Sequence, residues 1–427
     1  MSKVLIWNRV YPGSELDIFT PTNYETLYSH VQEKWGGRPQ NWGNRLWFQG
    51  IYSAINNGEN TYDFLGDVID PEQINAEYDF IILSLANIFN PEYAYGLRRY
   101  AELFSKIRIP VYVIACGVQA DNYADLPDIA SAIKDDAQKF IQSVYRTGGE
   151  FALRGHFTKK FFDLLGFHSA VVTGCPSLFQ LGPDFRVPEE KVSESQLFPV
   201  FNGSLKPLSQ LLQTYSKSTF IDQCNFFDLL YNPDSLHGIG YRRELRFINN
   251  YGYTAARLLA EGRLIMIADM NDWFQYLRNN GFNYALGSRI HGTIMALLSG
   301  IPATILTIDS RTKEMAEFFE IPSHESICNH TYTHDEFLSL YEQMDYRSFN
   351  RNFRSKYDAF EEFLSSHGIV SHINTENPFF GKVGATHYLD AAESRRNEFL
   401  LFSEKLHHDR HVLSALDIIR KIKNKFV

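Results

Sequence analysis

The chain has 427 residues, 44% of them hydrophobic and 21% charged, which fits two or three folded domains with large cores and excludes a disordered polymer. A formal net charge of -9, with no basic stripe, excludes a phosphate-tracking nucleic-acid groove. Cys116, Cys175, Cys224 and Cys328 show no CxxC spacing, which fits a reducing cytoplasm better than a disulfide framework.

The N-terminus opens on Val4-Leu5-Ile6-Trp7, a short strand pattern without a signal peptide's long apolar region. The longest apolar runs, near Phe80–Phe89 and Pro110–Val118, are too short to span a bilayer, so a cytoplasmic protein is expected. From residue 1 to about 185, short apolar runs alternate with longer amphipathic segments, as in βα units around a parallel sheet. Val4–Trp7, Phe80–Leu85, Val111–Ala115 and Ala170–Thr173 read as buried strands, and Arg45–Ile55, Tyr93–Ile107, Ile129–Tyr145 and Thr158–Leu165 as covering helices. A proline-spaced polar stretch, Gly182–Ser195, is the candidate linker.

Beyond it the alternation resumes. Strands are predicted at Thr219–Gln223, Leu264–Ala268, Tyr284–Leu286 and Ala303–Ile308, and helices at Tyr253–Glu261, Asp272–Asn279, from Arg289, and over Thr312–Phe319. After Pro322 the chain turns polar and mainly helical. The expected organisation is therefore one α/β domain over 1–185, a second over 186–325, and a helical extension over 326–427. Ligands bind outside the carboxyl ends of such strands, so the turns there carry the candidate site.

The densest such turn is Gly287-Ser288-Arg289-Ile290-His291-Gly292-Thr293. Ser288 can cap a helix beginning at Arg289 or Ile290, whose positive end suits a phosphate or carboxylate. Arg289 and His291 add charge and a transferable proton there; the plainer reading is a structural ion pair and a turn-filling histidine. Arg311, after the next strand, shares the edge. In Phe151-Ala152-Leu153-Arg154-Gly155, Arg154 can face the cleft from the first domain, or be an ordinary surface arginine.

Cys175, in Thr173-Gly174-Cys175-Pro176-Ser177, has no histidine beside it in the sequence and reads as a buried thiol. Gln40-Asn41-Trp42-Gly43-Asn44 is a Gly/Asn-rich loop feeding a helix, the kind that cradles anions or acceptor hydroxyls. His407, His408 and His411, and Cys328 with His330 and His334, have loosely metal-like spacing but no complete ligand set, so no metal is expected. The tail residues Arg420, Lys421, Lys423 and Lys425 read most simply as cations complementing a final helix dipole. Weak contact with an anionic membrane's inner face is the alternative.

Phe151-Ala152-Leu153-Arg154-Gly155, Val172-Thr173-Gly174-Cys175-Pro176-Ser177, Ser288-Arg289-Ile290-His291-Gly292 and Gly300-Ile301-Pro302, in this order, resemble the polysaccharide pyruvyl transferase family across residues 1 to 325. The resemblance implies two Rossmann-like domains in a GT-B-like arrangement, the first on the acceptor side and the second on the donor side. It also implies transfer of a pyruvyl group from phosphoenolpyruvate to a nucleotide- or lipid-linked sugar or glycan as a ketal, without a further cofactor. On this reading Arg154, Ser288, Arg289, His291 and Arg311 hold the donor, His291 moves the proton, and Asn41, Gly43, Asn44 and Asn87 are acceptor-side candidates. Three departures stand out: Ser84-Leu85-Ala86-Asn87 replaces a glycine-rich turn, Asn44 replaces an aspartate, and Arg311 replaces a lysine. Two other readings fit the same fold: a glycosyltransferase with a nucleotide-sugar donor, and a non-catalytic glycan-binding or scaffold protein.

Overall fold

A computed structural model describes residues 2–7, 41–55, 60–64, 69–226, 230, 254–255, 257–267, 269–326 and 330–371. Within the first of two parallel sheets, strands β1 (Lys3–Trp7), β2 (Thr61–Phe64), β3 (Phe80–Ser84), β4 (Val111–Cys116), β5 (Phe151–Leu153) and β6 (Val171–Val172) lie in the order β2-β1-β3-β4-β5-β6. Successive side chains of a strand point to opposite faces, and here both faces are covered. Val4, Ile6, Ile82 and Ile114 enter one apolar core with helix α1 (Gly43–Ile55). Leu5, Trp7, Ile81, Leu83 and Val113 enter the other. Helix α2 (Pro71–Glu77) sits there through Ile74, beside α3 (Ala94–Phe104), α4 (Leu126–Ala132), α5 (Lys134–Arg146) and α6 (His156–Leu164).

The second sheet comprises β7 (Pro199–Asn202), β8 (Thr219–Asp222), β9 (Leu264–Met266), β10 (Tyr284–Gly287), β11 (Ala303–Thr307) and β12 (Ser323–Glu325), ordered β12-β11-β10-β7-β8-β9. Read from β9, this is the doubly wound dinucleotide-fold order, whose direction reverses between β7 and β10. Its helices are α7 (Leu205–Thr214), α8 (Met270–Asn279), α9 (Ile290–Leu298) and α10 (Ser310–Phe319), followed by α11 (His334–Gln343) and α12 (Arg347–Ser366). One core runs through both units, from Val4 and Trp47 to Leu286 and Ile294. The α12 helix crosses back: Phe360 stacks on Phe179 at 5.5 Å, and Tyr112 of β4 donates to the His367 carbonyl at 3.4 Å. Two Rossmann-like domains closed by the returning α12 helix make a GT-B-like arrangement.

Several elements differ from the sequence expectation. The helix expected over Ile129–Tyr145 is two helices, broken at Ile133, which leaves the helical region (φ -118°, ψ 15°). The strand expected to be buried at Ala170–Thr173 is a two-residue sheet edge with Val171 42% exposed. Unpredicted β2, β7 and β12 carry weak signals: Thr61-Tyr62-Asp63-Phe64 mixes polar and aromatic residues, Pro199 opens β7 beside the linker, and Ser323-His324-Glu325 is exposed throughout. The tail histidines and basic residues 407–425 lie outside the described residues.

Candidate functional site

The turn between β10 and α9 lies at the reversal point of the second sheet. Its geometry corrects the expected cap: the N-cap residue is Arg289 (φ -96°, ψ 109°), the helix starts at Ile290, and no side chain caps the first turn. Asn202, at the end of the neighbouring β7, organises the turn instead. Its backbone carbonyl accepts the Ser288 N–H at 3.3 Å and its Oδ1 accepts the Arg289 N–H at 3.0 Å. The uncapped first turn of α9 presents its positive end at the domain seam.

His291 is half-buried in that first turn. The start of α1, from the other domain, abuts it: a Cβ on Gly43 would stand 2.8 Å from His291 Cβ and 2.3 Å from Gln223 Oε1. Burial, then the charges of Arg154 and Arg311, lower the imidazole pKa from 6.5 to about 3. The ring is neutral at pH 7, with one nitrogen able to accept a proton and the other to donate.

Two arginines, Arg154 and Arg311, act on the imidazole, and a third, Arg289, shares its turn; the three are in different states. Arg154, at the end of β5, is buried: Nε donates to Glu314 Oε2 at 3.3 Å, Nη1 to Asn87 Oδ1 at 3.0 Å and the Ala86 carbonyl at 3.3 Å, and Nη2 to the Val118 carbonyl at 3.3 Å. Of its five N–H donors, one on Nη2 is left among the described residues. Arg311 lies inside the first turn of α10, not before the helix as expected, and its Nε donates to Asp309 Oδ2 at 2.8 Å. Asp309 also caps that helix by accepting the N–H of Arg311 and Thr312. Burial works against its ionisation, but hydrogen bonding to Arg311 and that residue's charge hold its carboxyl below the ordinary value. Arg289 spends one guanidinium N–H on the Cys224 sulfur, at 3.3 Å.

The structure therefore brings the charges of Arg154 and Arg311 to His291, with Ser288 and Arg289 in the same turn and the Arg289 side chain directed to Cys224. Asn87, expected on the acceptor side, is bonded to Arg154. Asn41 caps α1, its Oδ1 accepting the Gly43 N–H at 3.0 Å and its carbonyl accepting the Asn44 N–H at 2.9 Å. Sequence reasoning missed Asn202, Gln223 and Thr158. An apolar triplet ending in Asn202-Gly203-Ser204 was the one signal for Asn202. Cys175 is buried, its thiol pKa raised by burial and its sulfur 3.1 Å from Ser177 Oγ. His330 pairs with Glu336 at 2.8 Å, and His334 lies between Tyr215 and Glu194, at 3.2 and 3.0 Å.

A polysaccharide pyruvyl transferase family profile matches residues 8–310. The chain belongs to that family. Arg154, Arg289 and His291 fall inside the stretch matched to this transferase family, and Arg311 and Glu314 just beyond it. No curated protein sequence matches the transferase. Among solved structures, it is similar to S. aureus MnaA with UDP at 12% identity, over 95% of this chain and 97% of that one, with a TM-score of 0.34. The glycosyltransferase SnogD from Streptomyces nogalater is similar at 11% identity, over 87% and 99%, with a TM-score of 0.34.

Proposed function

We propose that this transferase moves the pyruvyl group of phosphoenolpyruvate onto two hydroxyls of a nucleotide- or lipid-linked sugar, forming a cyclic ketal during glycan assembly. The observation that carries this reading is a neutral histidine flanked by arginine charges at an uncapped helix N-terminus. Phosphoenolpyruvate presents a phosphate and a carboxylate, and guanidinium forks suit both. Arg289, least committed of the three arginines, is the candidate fork; Arg154 contributes charge and its remaining N–H.

In the reaction, two C–O bonds form at the central carbon of the donor while its C=C π bond and its bond to the phosphate oxygen are lost. Of the two hydroxyl protons, one ends on the methylene carbon, which becomes methyl, and one leaves with hydrogen phosphate. Neutral His291 suits the first proton removal. A bound anion beside the ring favours the imidazolium, so the same ring then holds a proton it can deliver. The helix end and arginines stabilise the departing phosphate. No cofactor beyond this co-substrate is invoked, and the enzyme is taken to be cytoplasmic, with weak contact of the basic tail at the membrane's inner face as the alternative to a helix-dipole role. Among the described residues no helix is long and apolar enough to cross a membrane.

The test is incubation with phosphoenolpyruvate and a panel of galactose- and mannose-type nucleotide- and lipid-linked acceptors. Phosphate release coupled to an acceptor mass gain of one pyruvate ketal supports the proposal. Turnover only with a nucleotide-sugar donor, or with no donor at all, overturns it.

A further inference from the structure

Glu314 belongs to α10 of the second domain, yet its carboxylate, 1% exposed, is bonded to groups of the first. Oε1 accepts the Thr158 backbone N–H at 2.6 Å, and Oε2 accepts the Thr158 hydroxyl at 3.0 Å and Arg154 Nε at 3.3 Å. Thr158 lies in the first turn of α6, whose N-cap residue, Gly155, has no side chain to offer that turn. Glu314 supplies the missing cap from across the seam. Glycine leaves it room: a Cβ on Gly155 would stand 2.3 Å from Glu314 Cγ.

The ring of contacts closes through the loop after β4. Thr158 Oγ1 accepts the Val118 N–H at 3.1 Å, and the Val118 carbonyl accepts from Arg154 Nη2. At the start of α10, Ser310 Oγ accepts the Ala120 N–H at 2.9 Å and donates to the Val118 carbonyl at 3.2 Å, while its N–H donates to the Ala120 carbonyl at 2.9 Å. Three of the four Arg154 bonds stay within the first domain, to Ala86, Asn87 and Val118; the fourth, from Nε, is completed only where α10 is seated on residues 118–120. A buried ion pair is a weak way to gain stability, because desolvation consumes most of its attraction. Holding one arginine in one orientation is a use such a pair serves well.

We propose that Glu314 is a positioning residue for Arg154, so that the seating of the second domain on the first completes the orientation of the donor-site arginine through its Nε. This rests on the reading of Arg154 as part of the donor site. Glu314 performs two separable jobs: it orients the guanidinium, and its negative charge offsets the arginine's attraction for an anion.

Glu314→Gln removes the charge and keeps the shape; Glu314→Asp keeps the charge and shortens the reach. For Glu314→Gln, kcat should fall about 100-fold through misorientation of Arg154, while KM for phosphoenolpyruvate falls as well. Inorganic phosphate, titrated by calorimetry, should bind about tenfold tighter once the opposing charge is gone. For Glu314→Asp, kcat should fall with phosphate affinity unchanged. A carboxylate with a merely structural role would lower the unfolding midpoint of both variants and leave kcat per folded molecule and KM alone, and that result overturns the proposal. Phosphate affinity identical in wild type and Glu314→Gln overturns it too. If wild type shows no turnover with phosphoenolpyruvate, the proposed reaction fails, whereas phosphate calorimetry, together with hydrogen exchange at the Thr158 amide, still decides whether Glu314 holds this seam.

Discussion

Replacing Gly117 by alanine tests the cradle around Arg154 more sharply than removing the arginine. A Cβ at Gly117 would stand 2.0 Å from Arg154 Nη2, 2.4 Å from Cζ and 2.8 Å from Nε. Carbon–nitrogen contacts that close do not persist, so the guanidinium must retreat by about 1 Å, or the loop must. Retreat breaks the cradle: the arginine's bonds to Ala86, Asn87, Val118 and Glu314 are already 3.0 to 3.3 Å long, and another ångström takes most beyond hydrogen-bonding range. The cost combines overpacking with weakened bonds to a buried charge, about 2 to 4 kcal/mol of stability. A misplacement of that size at a site that works by orientation costs about 100-fold in kcat. Urea unfolding gives the first figure and steady-state phosphate release from phosphoenolpyruvate the second. Gly96→Ala is the control. It sits at a half-buried position of α3, its nearest neighbour is Cδ1 of the exposed Tyr93 ring at 3.2 Å, and it should gain about 0.5 to 1 kcal/mol from helix propensity. If Gly117→Ala matches wild type in both midpoint and kcat, Arg154 is not held as described.

His291→Gln should abolish turnover while leaving the fold intact, checked by phosphate release beside circular dichroism. It should also change the pH dependence of stability. The folded imidazole pKa of about 3 lies below the ordinary 6.5, so between these values the unfolded chain binds more protons. The neutral ring's contribution is complete above about pH 6.5 and is lost as pH falls toward 3. Wild type should therefore lose more urea resistance than His291→Gln between pH 7 and pH 4.5, and parallel losses would show that the fold does not hold the ring neutral. Cys175→Ala should retain turnover, because burial raises that thiol's pKa and suppresses the thiolate. Thiol labelling followed by mass spectrometry should modify Cys116 and Cys175 only after denaturation, since both are buried.

The parallel sheets were legible because their central strands are continuous apolar runs, such as Phe80-Ile81-Ile82-Leu83 and Val111-Tyr112-Val113-Ile114. Two of the edges were not: β2 mixes polar and aromatic residues and β12 is three exposed polar residues, so pairing with one neighbour, not burial, defines them, whereas the edge strands β6 and β9 were read from their apolar residues. At the site, Arg289 and His291 were legible because one turn places both at a helix start. Ser288 misled, because a good capping residue stood one position before a turn that the side chain of Asn202 had already claimed from another strand.

The partners of the arginines mark a deeper limit of sequence reading. Asp309 and Arg311 are two residues apart, and an acidic residue beside a basic one at a helix start can be read locally. Arg154 and Glu314 are 160 residues apart, in different domains, and neither lies in a pattern that names the other. Yet each guanidinium near His291 that carries a carboxylate partner takes it from the α10 region, from Asp309 or Glu314. One helix terminus therefore controls how much of the positive charge at this edge is available to an anion. A displacement of α10 would part Glu314 from Arg154 while carrying Asp309 and Arg311 together, which no substitution confined to the α9 turn would do.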